Sequence, residues 1–592
     1  MKKTYWLTLA SLSAALSLGL AACGGSSSSS GSTSNAAYNA GATSVVNPST
    51  HTGGTVTYVS PADWDSIDPG NTYYGYSWDF SRLYARTLLA YQSKPGSAGM
   101  QLVPDLATGL GQVSNNGLTW TYHIKPNIKF SNGATVTTQD IKYAVERTAS
   151  YTQPGQPAVL PNGPIYWGIF LQDATYPGAY YDKTPGKMGL TGISTPNATT
   201  IVFNLRKPMA EFNYLATLSQ TSPVPPSADS GANGGVNYLK HMVTTGPYVF
   251  QSVQVGKQYV LVKNPYWSAA TDPNVKQLAD KIVVNVNVNA STLDNELFSG
   301  QADINVSGTG VSPADQARVL TNPSLKQNAD DVLNGFFAYT AINTKVAPFN
   351  NPHCREAVLY AADHASLRTA YGGTYGGQLA TQVLPPQIGG YIPGYDPYGF
   401  NTQPTGNLTA AKQQLSLCGK PSGFSTTIAE RQNRPNEDAG ALALQAALAR
   451  VGIEASIYSY PAGNISSVVG TPNFVHQHGL GLMMYLWGPD WPAGFGFLNA
   501  IVNGAAITPA GNSNLEELND PVVNADLDNV MADNSASGRS ATYSAIDKQV
   551  MNDAVILPIV YQKALLYRNP QATNVYYNPA LLMFDYGQIG VK

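Results

Sequence analysis

Residues 116–148 read NGLTWTYHIKPNIKFSNGATVTTQDIKYAVERT, and this stretch carries the clearest structural pattern in the chain. Apolar and polar residues alternate over 118–125, which predicts a half-buried strand. The SNG sequence at 131–133 is typical of a turn. Thr137, followed three residues later by Asp140, predicts the start of a helix. A strand, a turn and a helix in close succession indicate a mixed α/β chain.

The same mixture extends along the rest of the chain. Residues 200–205, 259–262 and 282–288 have the pattern of strands, and 438–451 is rich in alanine and leucine, as in a helix. A chain of 592 residues with 43% hydrophobic content is too long for one core, so two or three lobes are expected. Charged residues are only 12% and form no basic stripe, which argues against a nucleic-acid partner.

The N-terminus has the pattern of an export signal. Two lysines precede an uncharged, apolar stretch over 6–22, which suits a signal peptide and is short for a membrane span. The sequence LAACG at 20–24 resembles the lipobox of bacterial lipoproteins, which implies a signal peptide over 1–22 and a lipid on Cys23. Glycine and serine dominate the residues that follow, so we predict a flexible tether over 23–52. The alternative is an ordinary secretory signal with an incidental cysteine.

Two cysteines remain, and outside the cell Cys354 and Cys418 are expected to form one disulfide, with two separate buried thiols as the alternative. The sequence contains no phosphate-binding loop, no nucleophile elbow and no H-E-x-x-H zinc motif. His476 and His478 would face the same way on a strand, but no cysteine or carboxylate lies close by in sequence to complete a metal site. We therefore predict a pair without metal, no cofactor and no enzymatic activity.

Several segments in collinear order resemble family 5 extracellular solute-binding proteins, the peptide-binding components of ABC importers. The resemblance covers about residues 53–590. It is carried by NGLTWTYHIK at 116–125, TGPY at 245–248, NPYW at 264–267, SGQAD at 299–303 and the segment 351–363. We interpret TGPY and NPYW as structural turns rather than ligand contacts.

The resemblance implies an α/β fold of the large type II periplasmic-binding-protein class, in which two hinged lobes close around a ligand. The implied boundaries are 53–342 for lobe 1, about 78–190 for an extra subdomain within it, 343–555 for lobe 2, 556–592 for a return to lobe 1, and 337–343 with 556–561 for the hinge. Both cysteines of the expected disulfide then fall in lobe 2.

The resemblance also implies ligand-binding residues. Asp490 lies three residues after Trp487, as does the aspartate that pairs with the peptide α-ammonium in relatives; otherwise Asp490 caps a turn and Trp487 is core. Arg431, or its neighbour Arg434, has the position of an arginine that binds the peptide carboxylate. The alternative is a solvated surface loop in which Glu437 and Asp438 are close enough to pair.

Four aromatic residues complete the predicted site, with packing in the small subdomain as their alternative: Tyr73, Tyr74, Tyr76 and Trp78. The implied function is a monomeric, lipid-anchored receptor on the extracytoplasmic face of the membrane, which captures peptides and delivers them to an ABC permease. The alternatives are another cargo, such as a nickel chelate, haem, an opine or an oligosaccharide, and a surface enzyme.

Overall fold

The stretch 116–148 folds as its pattern predicts. Thr119–His123 is a strand with alternating burial, Gly133 closes the turn with φ +85°, and Thr138–Ala149 is a helix. The Asp140 carboxylate accepts the backbone N–H of the preceding Thr137 (2.7 Å) and its hydroxyl (2.9 Å). These bonds satisfy donors at the helix start that have no partner within the helix.

The computed structural model describes residues 37–149, 160, 162, 166–171, 176–184, 186, 188–229 and 236–592. The predicted signal peptide, the predicted lipid attachment at Cys23 and the predicted tether as far as residue 36 lie outside the described residues. Among those that are described, no helix combines the length and the apolar character needed to cross a membrane.

Residues 37–52 pack against the body, which corrects the predicted extent of the tether. The Asn39 N–H donates to the Ala329 carbonyl (3.0 Å), and the buried Val46 exchanges backbone hydrogen bonds with Val575. Composition alone suggested a tether because this segment is rich in small and polar residues. A few backbone bonds and one buried valine are enough to hold it in place.

Three principal sheets define the architecture. The five-stranded sheet runs in the order Ile304–Asn305, Thr55–Val59, Lys281–Asn285, Gln258–Lys263, Tyr248–Gln254. The four-stranded antiparallel sheet runs in the order Gln112–Ser114, Thr119–His123, Thr200–Asn204, Ile193–Asn197. The six-stranded mixed sheet runs in the order Gly377–Leu379, Ile556–Tyr567, Ala329–Ile342, Leu482–Trp487, Ser425–Gln432, Glu454–Pro461. We call the part built on the first two sheets the first lobe and the part built on the third the second lobe.

The helices flank these sheets, and three short two-stranded ladders complete the fold. The helices are Ala40–Thr43, Gly75–Ser81, Thr138–Ala149, Tyr166–Phe170, Phe212–Leu215, Val236–Lys240, Ala290–Ser299, Pro313–Thr321, Pro323–Lys326, Pro352–Ala361, His364–Ala370, Gly373–Gly376, Leu408–Leu417, Pro435–Ala449, Pro472–His478, Gly494–Val502, Pro521–Val530 and Ala536–Asn552. The ladders pair Leu89–Tyr91 with Leu102–Pro104, Ala572–Thr573 with Gly590–Val591, and Tyr577–Asn578 with Met583–Phe584.

The four-stranded sheet extends past the predicted border of the extra subdomain. The prediction ended the subdomain at about residue 190, whereas two of the four strands lie between 193 and 204. Trp120 and Phe203 pair across the sheet in its buried core. The sheet therefore includes residues 193–204, which the sequence resemblance assigned to the rest of lobe 1.

Two long paired strands, Ala329–Ile342 and Ile556–Tyr567, run from one lobe into the other. Their register is interrupted between Leu333 and Phe337. Buried side chains before the interruption belong to first-lobe clusters. Those after it belong to a cluster that contains the core of the six-stranded sheet and also that of the four-stranded sheet. The change of lobe therefore lies within these two strands.

This position differs from the predicted hinge segments, 337–343 and 556–561, which are buried and lie in or directly next to the six-stranded sheet. The irregularity contains Gly335, whose φ of +81° is a conformation that glycine adopts without steric cost. A bulge of this kind bends a strand and increases its twist. The structure thus moves the crossing point a few residues towards the first lobe.

A disulfide joins Cys354 and Cys418, whose Cα atoms are 5.2 Å apart. It ties the start of the helix Pro352–Ala361 to the end of the helix Leu408–Leu417. Both helices belong to the second lobe, so the bond braces that lobe without crossing to the other.

Candidate functional site

Asp490 sits on a turn that is held rigidly at the end of the strand Leu482–Trp487. The indole N–H of Trp487 donates to the Phe497 carbonyl (2.8 Å), and the Asp490 N–H donates to the Gly496 carbonyl (3.1 Å). Both acceptors belong to the helix Gly494–Val502, which follows the turn directly. Ligands of α/β lobes bind at the ends of such strands, where the chain turns into a helix.

The Asp490 carboxylate forms hydrogen bonds across the boundary between the lobes. One of its oxygens accepts the hydroxyl of Tyr73 and the other accepts the hydroxyl of Tyr166. Both tyrosines belong to the first lobe, and no basic side chain of the described residues forms an ion pair with Asp490. Burial raises the pKa of Asp490 to about 6, although the two hydroxyl donors lower it in part. A carboxylate held by neutral donors alone retains its negative charge for a cation.

Asp490 also lines a cavity between the lobes, with a volume of about 900 Å³ that includes space open to solvent. Its walls include Trp78, Ser81, Leu218 and Asn274 from the first lobe and Asp490 and Trp491 from the second. The cavity is therefore a boundary site rather than a pocket within one lobe.

Two arginines line the same cavity but are already paired. Arg82 binds Asp79 and Asp585, each at 2.8 Å. Arg86 binds Asp105 at 2.7 Å. Their charges are neutralised within the first lobe, so they add little attraction for an anionic ligand.

The four predicted aromatic residues divide into two pairs. Tyr73 binds Asp490 and contacts Trp78 edge to face, with ring centroids 5.8 Å apart. Tyr74 stacks on Tyr76 (5.3 Å), which in turn packs against Trp64 (5.4 Å). Of the four, only Trp78 lines the cavity, and Tyr73 adjoins it through its bond to Asp490, which is itself in the lining.

The predicted arginines do not line the cavity. Arg431 forms a two-point ion pair with Glu437, with its Nε 2.9 Å from one carboxylate oxygen. Arg434 is exposed at the start of the helix Pro435–Ala449. Glu437 is one of the two partners named in the alternative interpretation, but Arg431 lies on the strand Ser425–Gln432 with its side chain only 12% exposed, rather than in a solvated loop.

A second carboxylate crosses the lobe boundary in the opposite direction. Glu211, from the first lobe, accepts the indole N–H of Trp491 (2.6 Å) and the hydroxyl of Tyr543 (2.5 Å). Arg539 lies 3.7 Å from the same carboxylate. Glu211 is only 2% exposed, and burial raises its pKa. The adjacent Ala210 N–H donates across the same boundary to the second lobe.

The histidine pair lies on a helix, Pro472–His478, rather than on the strand or loop considered from the sequence. His476 binds Glu517 (2.6 Å), whereas the His478 ring stacks on Phe474 at 3.8 Å. Residues two apart on a helix do not face the same way, so the sequence spacing does not form a metal clip. The described residues contain no cluster of three metal-ligating side chains.

Sequence reasoning missed Tyr166 and Glu211. Neither stands in a motif, and each meets its partner across more than 270 residues of chain. The available signal was indirect: Trp491, whose indole N–H needs an acceptor, directly follows Asp490.

The sequence model of bacterial extracellular solute-binding proteins, family 5, matches residues 101–508. The probable D,D-dipeptide-binding periplasmic protein DdpA of Escherichia coli is 24% identical over 528 residues, 88% of this chain and 91% of the relative. Heme-binding protein A of Haemophilus influenzae is 26% identical over 504 residues, 82% of this chain and 83% of the relative.

A solved structure, clavulanic acid biosynthesis oligopeptide binding protein 2, superposes with a TM-score of 0.89 and 37% identity, covering 94% of this chain and 98% of that one. The relatives and the superposed structure are binding proteins of the two-lobed class, and the match covers both lobes. The chain therefore belongs to family 5 of the bacterial extracellular solute-binding proteins, which capture solutes for ABC importers.

Proposed function

We propose that this protein binds peptides with a free α-ammonium group and delivers them to a membrane permease. The observation that carries the proposal is the Asp490 carboxylate, which lines the boundary cavity and has only neutral hydroxyl partners. An ammonium group forms strong, charge-assisted hydrogen bonds with such a carboxylate once water is excluded. The names of one relative, which binds D,D-dipeptides, and of the superposed oligopeptide-binding structure support a peptide cargo.

Binding is coupled to closure of the lobes. Asp490 and Trp491 come from the second lobe, whereas Tyr73, Tyr166 and Trp78 come from the first. A ligand that contacts both sides stabilises the closed arrangement by the contacts that the open form lacks. The permease then distinguishes the closed, loaded protein from the open one.

The experiment is calorimetry with trialanine and N-acetyl-trialanine. Asp490→Asn weakens binding of trialanine by about 3 kcal/mol, the scale of removing one partner of a buried ion pair. Binding of the acetylated peptide changes little because it has no ammonium group. Asp280→Asn is the matched control, since Asp280 is exposed and pairs with Lys263 in the first lobe. Equal losses for both peptides, or none for either, would refute the assignment.

Membrane attachment through a lipid on Cys23 is part of the proposal. It rests on the LAACG sequence at 20–24 and on the small, polar residues that follow. Cys23→Ala should release the protein from the membrane fraction of expressing cells into the soluble one. Retention of the variant in membranes would exclude the lipid on this thiol as the anchor.

Haem is the second candidate cargo, because one relative is a heme-binding protein. His476 and His478 lie outside the lining of the boundary cavity, so they do not favour iron ligation there. Titration of the purified protein with haemin decides the matter. A saturable Soret shift that trialanine does not compete away would favour haem over peptides.

A further inference from the structure

The cavity between the lobes treats the two ends of a peptide very differently. For an ammonium group it offers Asp490, a carboxylate whose hydrogen-bond partners are two neutral hydroxyls. For a carboxylate the described lining offers two cationic side chains, Arg82 and Arg86. Both arginines are already paired within the first lobe, so their remaining capacity to bind an anion decides which ligands fit.

Arg82 is balanced by two carboxylates. Its Nη1 atom lies 2.8 Å from Asp79 and 2.8 Å from Asp585. Burial raises the pKa of Asp79 to about 7, so this carboxyl group is partly protonated at neutral pH. Asp585 by itself still neutralises the guanidinium when Asp79 is protonated. Arg82 therefore has no positive charge left over for a ligand.

Arg86 is held more completely still. Its side chain is 2% exposed and lies 2.7 Å from Asp105 and 3.4 Å from Asp272. Each guanidinium nitrogen also has an acceptor, because Nε donates to Asp105 and both Nη atoms donate to Thr271. A ligand carboxylate would have to displace these bonds before it could bind Arg86.

The neutral donors of the lining are also engaged. Six side chains each donate to a backbone carbonyl of the first lobe at 2.6–3.1 Å: Trp78, Ser81, Thr87, Thr217, Ser219 and Asn274. The Trp491 indole donates to Glu211 (2.6 Å), and the Tyr91 hydroxyl interacts with Thr217. A hydroxyl or an indole has one hydrogen to donate, so these groups are not free to bind an anion.

Much of the remaining wall is apolar and is formed by small or aliphatic side chains: Ala85, Ala90, Val275, Ala580, Leu581 and Leu582. An ionised carboxylate placed against this wall loses its hydration and gains no comparable partner. A neutral amide at the same place loses much less, because it carries no net charge. The cavity therefore favours a ligand whose second end is uncharged.

We propose that the enclosed ligand carries an ammonium group and no carboxylate, so that the protein selects peptides with a blocked C-terminus, such as amides, over peptides with a free one. This proposal rests on the proposed function, in which Asp490 binds the α-ammonium of the peptide. The blocked end lies against the apolar wall. The selected cargo is thus a cation with an uncharged body.

The test is calorimetry at pH 7 with dialanine, trialanine and tetraalanine, each as the free acid and as the C-terminal amide. Both forms carry an α-ammonium group at this pH. For the shortest peptide that binds, the amide should bind roughly tenfold to a hundredfold more tightly, the range expected when a buried charged group is left without a partner. The shortest peptide is decisive because its C-terminus lies nearest to Asp490 and therefore within the cavity.

Leu581→Lys adds an unpaired cation to the apolar wall, at a side chain that lines the cavity and is partly exposed. It should lower the amide-to-acid ratio several-fold for the same peptide, because the carboxylate gains a partner. Leu581→Met is the neutral control. Val255→Lys is the control for added charge, since Val255 is 79% exposed on a first-lobe turn outside the cavity lining. Both controls should keep the wild-type ratio.

A wild-type ratio of about one or less would overturn the selectivity for a blocked C-terminus and leave ammonium binding at Asp490 standing. An unchanged ratio in folded Leu581→Lys would also overturn it, because the second end of the ligand would not lie against this wall. If that variant does not fold, the wild-type ratio is decisive by itself. If no peptide binds in either form, the proposed function fails and this inference fails with it, so the two failures are distinguishable.

Discussion

Two carboxylates cross the lobe boundary of this protein in opposite directions, and they have different partners. Asp490 reaches from the second lobe to two tyrosine hydroxyls, whereas Glu211 reaches from the first lobe to an indole, a phenol and a nearby arginine. Asp490 lines the cavity, and Glu211 does not. Asp490 is therefore available to a ligand, whereas the hydrogen bonds of Glu211 connect the two lobes.

The difference is one of available charge. Glu211 has donors for both oxygens and a cation at 3.7 Å, so a ligand ammonium would gain little there. Asp490 has neutral donors only, and an ammonium can add to them or displace them. We therefore expect changes at Glu211 to affect all ligands alike and changes at Asp490 to affect only those with a free amine.

The largest expected effect that sharpens this comparison comes from Glu211→Ala. The variant leaves the Trp491 and Tyr543 donors buried without an acceptor, which costs about 3 kcal/mol in the closed form. Affinities for trialanine and its acetylated form should fall by the same factor, as measured by calorimetry. Small-angle scattering of the ligand-free variant should show a larger radius of gyration than wild type.

Trp491→Phe is the graded companion to that variant. It keeps an aromatic ring beside Tyr166 and leaves the Tyr543 donor to Glu211 in place, but removes the indole N–H and part of the ring volume. The loss of affinity should therefore be smaller than in Glu211→Ala and the same for free and acetylated peptides. A loss confined to free-amine peptides in either variant would contradict the division of roles between the two carboxylates.

The next effect is on pH dependence. The pKa of Asp490 in the ligand-free protein is raised to about 6, so its charge is present above pH 6 and is lost as the pH falls below it. Affinity for trialanine should be constant near pH 7 and fall about tenfold by pH 5, because binding must then displace a proton. The acetylated peptide should show no such slope in parallel calorimetric titrations. The same slope for both peptides would assign the titration to another group.

The smallest effect is expected from Tyr166→Phe. Loss of one hydroxyl donor removes about 1 kcal/mol of support for the charged form of Asp490, so affinity for trialanine falls several-fold. The midpoint of the pH dependence should move upwards, since one of the bonds that lower the pKa of Asp490 is gone. Tyr266→Phe, at an exposed tyrosine of the first lobe, is the control and should change neither quantity.

Part of the site could be predicted from the chain alone. Asp490 and Tyr73 were both predicted as ligand-binding residues, and the structure brings their side chains into contact although 417 residues separate them. Arg431 and Tyr76 were also predicted, but they pair with Glu437 and with Tyr74 and Trp64, and both lie outside the cavity lining. Tyr166 and Glu211 were not predicted, because a lone tyrosine or glutamate has no local pattern that distinguishes burial from exposure.

The sequence by itself determined the local elements and the family. The alternation at 118–125 and the Thr137–Asp140 cap depend on neighbours within a few residues, so they could be derived from order along the chain. Only the tertiary structure determined which carboxylates are buried and which of the buried ones lie close to a cationic side chain. Burial and pairing of Asp490 and Glu211 depend on side chains contributed by distant segments, and electrostatic energies are set by those distances in space rather than by position in the sequence.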